Sequence, residues 1–125
     1  MAATKSRTSI WSAQTLTAGG SNTTSTALDL STSYGSTISI KLTNGSTGPT
    51  IAAQVQVVVA SDYNSGSPTL PVDFGGAFTG GVDNSGVYYA SVDIPIGVES
   101  VYLVAGSNTG QNVTVDADIS TVTAV

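Results

Sequence analysis

Apolar and polar residues alternate along much of this chain, which predicts β-strands with one buried face. In residues 36–43, Ile38, Ile40 and Leu42 occupy one face and polar residues occupy the other. Residues 51–60 alternate in the same way and predict a long central strand. Because only a short segment rich in turn residues separates these two strands, we expect them to pair antiparallel.

Further segments carry strand signals of different strength, and no long segment repeats its apolar residues every three or four positions as a helix would. The stronger segments are residues 87–94, 100–105 and 112–122, and the weaker ones are residues 10–17, 23–30 and 70–74. The pattern predicts an all-β protein, an antiparallel two-sheet sandwich of about seven or eight strands. Jelly-roll topology is favoured, with an immunoglobulin-like topology as the alternative.

The length of 125 residues fits one domain, and the charges divide it into two parts. We predict an N-terminal arm over residues 1–9 and a single β-sandwich domain over residues 10–125. The arm holds Lys5 and Arg7, whereas the remaining residues hold one Lys and all eight acidic residues, and the whole chain has a net charge of −5. Such an arm either frays or orders against an acidic neighbouring subunit, with Trp11 as an anchor at its base or as a core residue.

The longest segment without a regular pattern is residues 61–86, which is rich in Gly and contains both Phe residues. Phe74 and Phe78 flank a pair of glycines, and leaving their rings in water would cost about 1.5 to 3 kcal/mol each. We therefore expect them to be buried, either as a cap on one end of the sandwich or against a partner.

Composition removes most catalytic and metal-binding chemistry. The chain has no Cys and no His, which are the commonest nucleophile, general base and transition-metal ligands. Asp116 and Asp118 project from the same face of one strand. A solvated polar surface is a simpler interpretation of this pair than a calcium site or a glycosidase site. The stretch beginning at Asp62 departs from a calcium loop, and an Asx-type turn at Asp62 or Asn64 is expected instead. We expect no cofactor, no metal and no enzymatic activity.

Charge and hydropathy also restrict the partners. A net charge of −5 disfavours direct nucleic-acid binding, and the most apolar stretch is too short to cross a membrane. The N-terminal sequence lacks the apolar segment of a secretory signal, so synthesis in the cytoplasm is expected. Tyrosine rings and hydroxyls are typical of carbohydrate sites, although Tyr88 and Tyr89 should point to opposite faces of their strand.

Three segments resemble small virion proteins of tailed bacteriophages: LDLSTSYGSTISIKLTNGSTGP at 28–49, VDIPIGVESVYLVAGSNTG at 92–110 and VDADISTV at 115–122. The chain is similar to capsid decoration, or cement, proteins, which are β-sandwich or jelly-roll subunits. The resemblance implies a dimer or trimer on the outer surface of a phage head. There it would contact the major capsid protein and clamp adjacent subunits of the shell.

These observations lead to one functional expectation and one alternative. The chain is expected to be a structural virion protein made in the bacterial host and located on the phage head, with partner contacts at Lys5, Arg7, Trp11, Phe74 and Phe78. The alternative is a carbohydrate- or receptor-binding sandwich module of a phage tail or fibre.

Overall fold

Two antiparallel sheets pack face to face in a computed structural model that describes residues 3–124. The strands are β1 Thr4–Leu16, β2 Thr23–Thr24, β3 Leu28–Asp29, β4 Ser36–Asn44, β5 Gln54–Ala60, β6 Val72–Asp73, β7 Phe78–Thr79, β8 Val87–Ile94, β9 Ser100–Gly106 and β10 Val113–Ala124. A single 3-10 turn spans Asn64–Gly66. Within the described residues, no helix is long and apolar enough to cross a membrane.

The strand order identifies the topology. Sheet A has the order β1-β10-β4-β8, and sheet B has the order β2-β9-β5-β6, with β3 also pairing with β9 and β7 with β5. If β2 and β3 are counted as one interrupted strand, and β6 and β7 as another, eight strands remain. If these eight strands are renumbered from one to eight along the chain, their order is 1-8-3-6 in sheet A and 2-7-4-5 in sheet B. This is the strand order of a jelly roll. The predicted antiparallel sandwich with jelly-roll topology is confirmed.

The core lies between the inward faces of the two sheets. Ile38, Ile40 and Leu42 of β4 are at most 2% exposed, as their alternation with polar residues predicted. From sheet B the largest contributions come from β5 and β9, where Val55 and Leu103 are almost completely buried. One continuous apolar cluster therefore holds the two sheets together.

The predicted pairing of β4 with β5 is wrong. Strand β4 pairs with β10 and β8 in sheet A, whereas β5 lies inside sheet B between β9 and the short strands β6 and β7. The segment between them crosses from one sheet to the other and bonds to neighbouring loops: the N–H of Thr50 donates to the carbonyl of Thr109 at 2.7 Å. Alternation shows which face of a strand is buried, but it does not show which strand lies beside it.

Strand β1 begins earlier than predicted. Residues 4–9 of the predicted arm are paired with β10, with Thr4 opposite Ala124, while residues 1 and 2 lie outside the described residues. Both faces of residues 4–9 are exposed at the edge of the sheet, so this part of the strand has no apolar alternation. The sequence pattern consequently could not separate an edge strand from a free arm.

The weaker strand predictions were only partly right. Residues 23–30 form two short strands, because the Ser25 hydroxyl accepts the N–H of Leu103 at 2.9 Å and interrupts the backbone ladder. Residues 70–74 contain only the two residues of β6, and the pairing of Phe78 with Val55 in β7 was not predicted.

Candidate functional site

A hollow of about 930 Å³ opens on the outer face of sheet A. Short side chains from all four strands form a row across its floor. Ser39 of β4 lies opposite Ser91 of β8 on one side and opposite Asp118 of β10 on the other. Asp118 in turn lies opposite Ser9 of β1. Longer side chains line it around this row, including Arg7, Lys41 and Tyr89. The hollow therefore results from the register of four strands, which places short polar residues side by side.

Opposite charges are paired within the hollow. The Arg7 Nε donates to the Asp118 Oδ2 at 2.7 Å, and a second guanidinium nitrogen contacts the same oxygen. Lys41 Nζ lies 4.0 Å from Asp116 Oδ2, and Asp116 Oδ1 accepts the N–H of Ala13 at 2.8 Å. Both carboxylates thus hold neighbouring strands of the sheet, consistent with the polar surface that we expected of them.

The two adjacent tyrosines of β8 have different environments. Tyr89 is 74% exposed at the hollow, whereas Tyr88 is half-buried and packs against the core. The Tyr88 hydroxyl accepts the N–H of Asp83 at 3.2 Å, and Gly81 leaves the space that the ring needs. The prediction that these rings point to opposite faces is confirmed, and Tyr89 is the aromatic side chain that the hollow presents to solvent.

The residues predicted to contact a partner do not form one cluster. Arg7 lines the hollow, while Lys5 is exposed farther along the edge strand β1. Trp11 is 8% exposed and belongs to the core. Phe74 and Phe78 are half-buried and pack against the same core from the edge of sheet B. Their contact with a partner stays a prediction.

Acidic groups elsewhere are engaged in local turns. Asp62 accepts hydrogen bonds from the N–H and the hydroxyl of Thr69, and the Asn64 side chain donates to the carbonyl of Ser67. Hydrogen bonds from the Ser31 hydroxyl and N–H lower the pKa of Asp29 below its ordinary value of 3.8. Within residues 3–124, no group of three acidic side chains is arranged to hold a metal ion.

The sequence pattern does not predict the hollow. The alternation in β4 predicts that Ser39 and Lys41 share its solvent face, and Tyr89 is one of the tyrosines that suggested a carbohydrate site. The missing information was the strand order, since residues of β1, β4, β8 and β10 become neighbours only in the jelly roll. The alternating polar positions were the available signal, and they identify a face without identifying its neighbours.

No protein-family model and no curated protein sequence matches this chain. Several solved structures share its fold. The SPBc2 prophage-derived protein YomS is similar over 96% of both chains, with 16% sequence identity and a TM-score of 0.53.

Structures of infectious bursal disease virus contain the same fold as part of a longer chain. Its T13 viral particle matches 95% of this chain and 31% of the viral chain, with 12% identity and a TM-score of 0.59. The VP2 subviral particle matches 97% of this chain and 33% of the viral chain, with 12% identity and a TM-score of 0.55. The chain thus spans about a third of these viral chains. At these identities the likeness shows a common fold.

Proposed function

We propose that this protein is a structural, non-enzymatic component of a virion that binds the outer surface of a phage head. The observation that supports this role best is the jelly roll itself, which is shared over 96% of both chains with a prophage-derived protein and is found in viral particles. In this proposal the protein is a homo-oligomer that clamps adjacent major capsid proteins. Several simultaneous contacts would then have to break before a subunit leaves the shell.

One end of the sandwich offers an apolar contact surface. The connections from β3 to β4, from β5 to β6 and from β8 to β9 meet at this end, where Asp29 and Ala60 both lie opposite Ser100. Each connection exposes one large apolar side chain: Tyr34 is 49% exposed, Leu70 74% and Ile96 61%. We name these three residues the end patch. Apolar side chains exposed at one end of a domain are typical of protein contact surfaces, and we assign the shell contact to them.

The test is co-sedimentation with head shells from a phage that lacks the gene for this chain. Saturable binding at a stoichiometry that matches the symmetry axes of the shell is expected. The double variant Leu70→Asp/Ile96→Asp should weaken binding at least about tenfold, because charges would be buried in an apolar contact. The matched control is Ile51→Asp/Val82→Asp, which changes exposed apolar residues in the connections at the opposite end and should bind normally.

The outcomes separate the role from the surface. Absence of saturable binding by the unaltered protein overturns the decoration role. Binding that survives in the Leu70→Asp/Ile96→Asp variant keeps that role and overturns the end patch as the contact.

The hollow favours saccharide binding as a second candidate function. An exposed aromatic ring, serine hydroxyls and a paired Arg–Asp group line one open site, and sugars are bound through such faces and hydrogen bonds. A glycan screen read by thermal shift should then find a ligand that raises the melting temperature. Tyr89→Ala should abolish the shift, while Tyr34→Ala, which removes an exposed ring outside the hollow, should retain it. A shift that persists in Tyr89→Ala, or no shift with any glycan, overturns this candidate.

A further inference from the structure

Strand β8 is an edge of sheet A, hydrogen-bonded to β4 on one side only. The Asn44 N–H donates to the carbonyl of Gly86 at 2.8 Å, and this pair continues the register of β4 with β8. Hydrogen-bonded pairs alternate along an antiparallel ladder, so the next residue, Val87, turns its peptide groups away from β4. The residues of β8 with outward peptide groups are therefore Val87, Tyr89, Ser91 and Asp93.

The other edges of the sandwich are protected against pairing with another chain. Strand β1 carries Lys5 and Arg7, and its register shifts on both sides of Trp11, with Ala13 at a φ of 49°. The edges of sheet B consist of two-residue strands. By contrast, β8 has eight consecutive pairs in regular register and contains no Pro, Lys or Arg.

The inward side of β8 is also incompletely covered. Tyr88, Ala90 and Val92 pack against the core, yet each remains partly exposed. The corresponding residues of the neighbouring strand β4 are at most 2% exposed. A strand added beside β8 would cover this remaining apolar surface and satisfy the free peptide groups in one step.

We propose that this strand is β8 of a second copy of the chain, paired antiparallel about a twofold axis at Ala90. The two copies of sheet A would then form one continuous eight-stranded sheet. Tyr89 would lie opposite Ser91 of the second copy, and Val87 opposite its Asp93. The inward residues Tyr88 and Val92 would face each other across the axis in the same way.

This register is favoured by three physical requirements. It places all four outward residues of each copy in hydrogen-bonded pairs, whereas moving the axis to Tyr89 or Ser91 leaves one residue of each copy unpaired. A register shifted by one residue would pair a residue whose side chain faces the core with one whose side chain faces solvent. It would thereby place apolar side chains on the solvent face. Finally, Asp93 faces Val87 rather than a second carboxylate, so two acidic chains can meet without direct repulsion at this position.

The pairing deepens the oligomeric part of the proposed function, and it can be tested on the free protein without shells. Sedimentation velocity of the full chain should show a concentration-dependent dimer. Hydrogen exchange at concentrations where the dimer forms should show protection of the Tyr89 and Ser91 amides, which exchange rapidly on dilution. A monomer at every concentration, or a dimer or trimer in which these amides exchange rapidly, overturns the pairing. A monomer that still binds shells would overturn the pairing and leave the virion role standing.

Substitutions at Val87 test the register itself. Val87→Asp brings a second carboxylate opposite Asp93 of the other copy, twice in each dimer, and should weaken the dimer about two- to thirtyfold. Val87→Lys, the matched control, places a cation there and should keep or tighten the dimer. Val87 is 44% exposed, so neither change should unfold the subunit. Equal dissociation constants for the two variants would overturn the register about Ala90.

A second pair of variants acts on the backbone. Ser91→Pro removes an outward N–H that β4 does not use, and it should weaken the dimer at least about fivefold while leaving the subunit folded. Ser91→Ala retains the N–H and should dimerise normally. A Ser91→Pro variant that is folded and dimerises like the unaltered protein would overturn the proposal.

Discussion

Arg7 and Asp118 form an ion pair across the outer face of sheet A, although 111 positions separate them in the chain. The contact joins the first half of β1 to β10, and backbone pairing continues from Ser9 to Thr4. The basic N-terminal segment is thereby part of the sandwich, and the acidic partner of Arg7 belongs to the same subunit.

Deletion of residues 1–9 should lower the free energy of unfolding by about 2 kcal/mol or more, because β10 would lose the hydrogen bonds to residues 4–9. Urea denaturation followed by circular dichroism measures the change. The single substitution Arg7→Ala should cost less than about 1 kcal/mol, since the Arg7 side chain is largely exposed. A deletion that left the stability unchanged would contradict the pairing of this segment.

Trp11 should act through stability. Because its side chain is 8% exposed and belongs to the core cluster, Trp11→Ala should lower the free energy of unfolding by about 3 to 5 kcal/mol. Thermal and urea denaturation provide the measurement. If Trp11 were instead an anchor on a partner, the variant would keep its stability and lose only its binding to shells.

Asn108 links three segments at one end of the molecule. Its side-chain amide donates to the carbonyls of Leu16 at 2.9 Å and Gln111 at 3.0 Å, and the backbone carbonyl of Asn108 accepts the N–H of Gly19 at 2.9 Å. The residue is 2% exposed, so Asn108→Ala should cost about 1 to 3 kcal/mol by leaving a buried carbonyl unpaired.

Asn108→Asp should cost more at neutral pH, because a carboxylate would face two carbonyl oxygens. This environment raises the pKa of the carboxyl in the folded state, so the folded protein binds the proton more tightly than the unfolded chain. The stability of the variant relative to the unaltered protein should therefore recover as the pH falls from 7 towards about 4. Denaturation at several pH values tests this, and a pH-independent difference would contradict it.

Gly48 occupies a position where a side chain has no room. A Cβ at this residue would lie 2.0 Å from the carbonyl oxygen of Val82, which is backbone and cannot rotate away. Gly48→Ala should therefore cost about 1 to 3 kcal/mol in urea denaturation. Gly76→Ala is the control, since nothing lies within 4 Å of a Cβ there, and its stability should be unchanged or slightly raised. Equal effects of the two substitutions would contradict the close approach.

The sequence was most informative where a strand has one buried face. Residues 87–94 were predicted as a strand with the bounds that the structure shows, and Tyr88 and Tyr89 were assigned to opposite faces. The strand at residues 4–9 could not be recognised, because neither of its faces is buried. The break within residues 23–30 could not be recognised either, because it arises where the Ser25 hydroxyl replaces a backbone group in the ladder.

The candidate site was less predictable than the strands. The polar faces of β4 and β10 could be recognised, but the proximity of Arg7 to Asp118 depends on the strand order of the whole sheet. Phe74 and Phe78 show the same limit. Their burial could be expected from the cost of exposing aromatic rings to water. Their position at the edge of sheet B could not be expected, because it depends on which strand pairs with β5.

The adjacency of Thr4 and Ala124 has a practical consequence for engineering. A short linker between these positions would close the chain into a ring, and new ends could be opened in the exposed connection near Ser67 without interrupting a long strand. Peptides fused at either original end would leave the molecule from the β1 side of sheet A, which is the side opposite β8. Because the Tyr34 N–H donates to the carbonyl of Val122 at 2.7 Å, both original ends lie at the same end of the sandwich as the end patch. A bulky fusion at either end should therefore obstruct that patch, whereas a fusion at the new ends of the ring-closed chain leaves the Thr4–Ala124 junction compact.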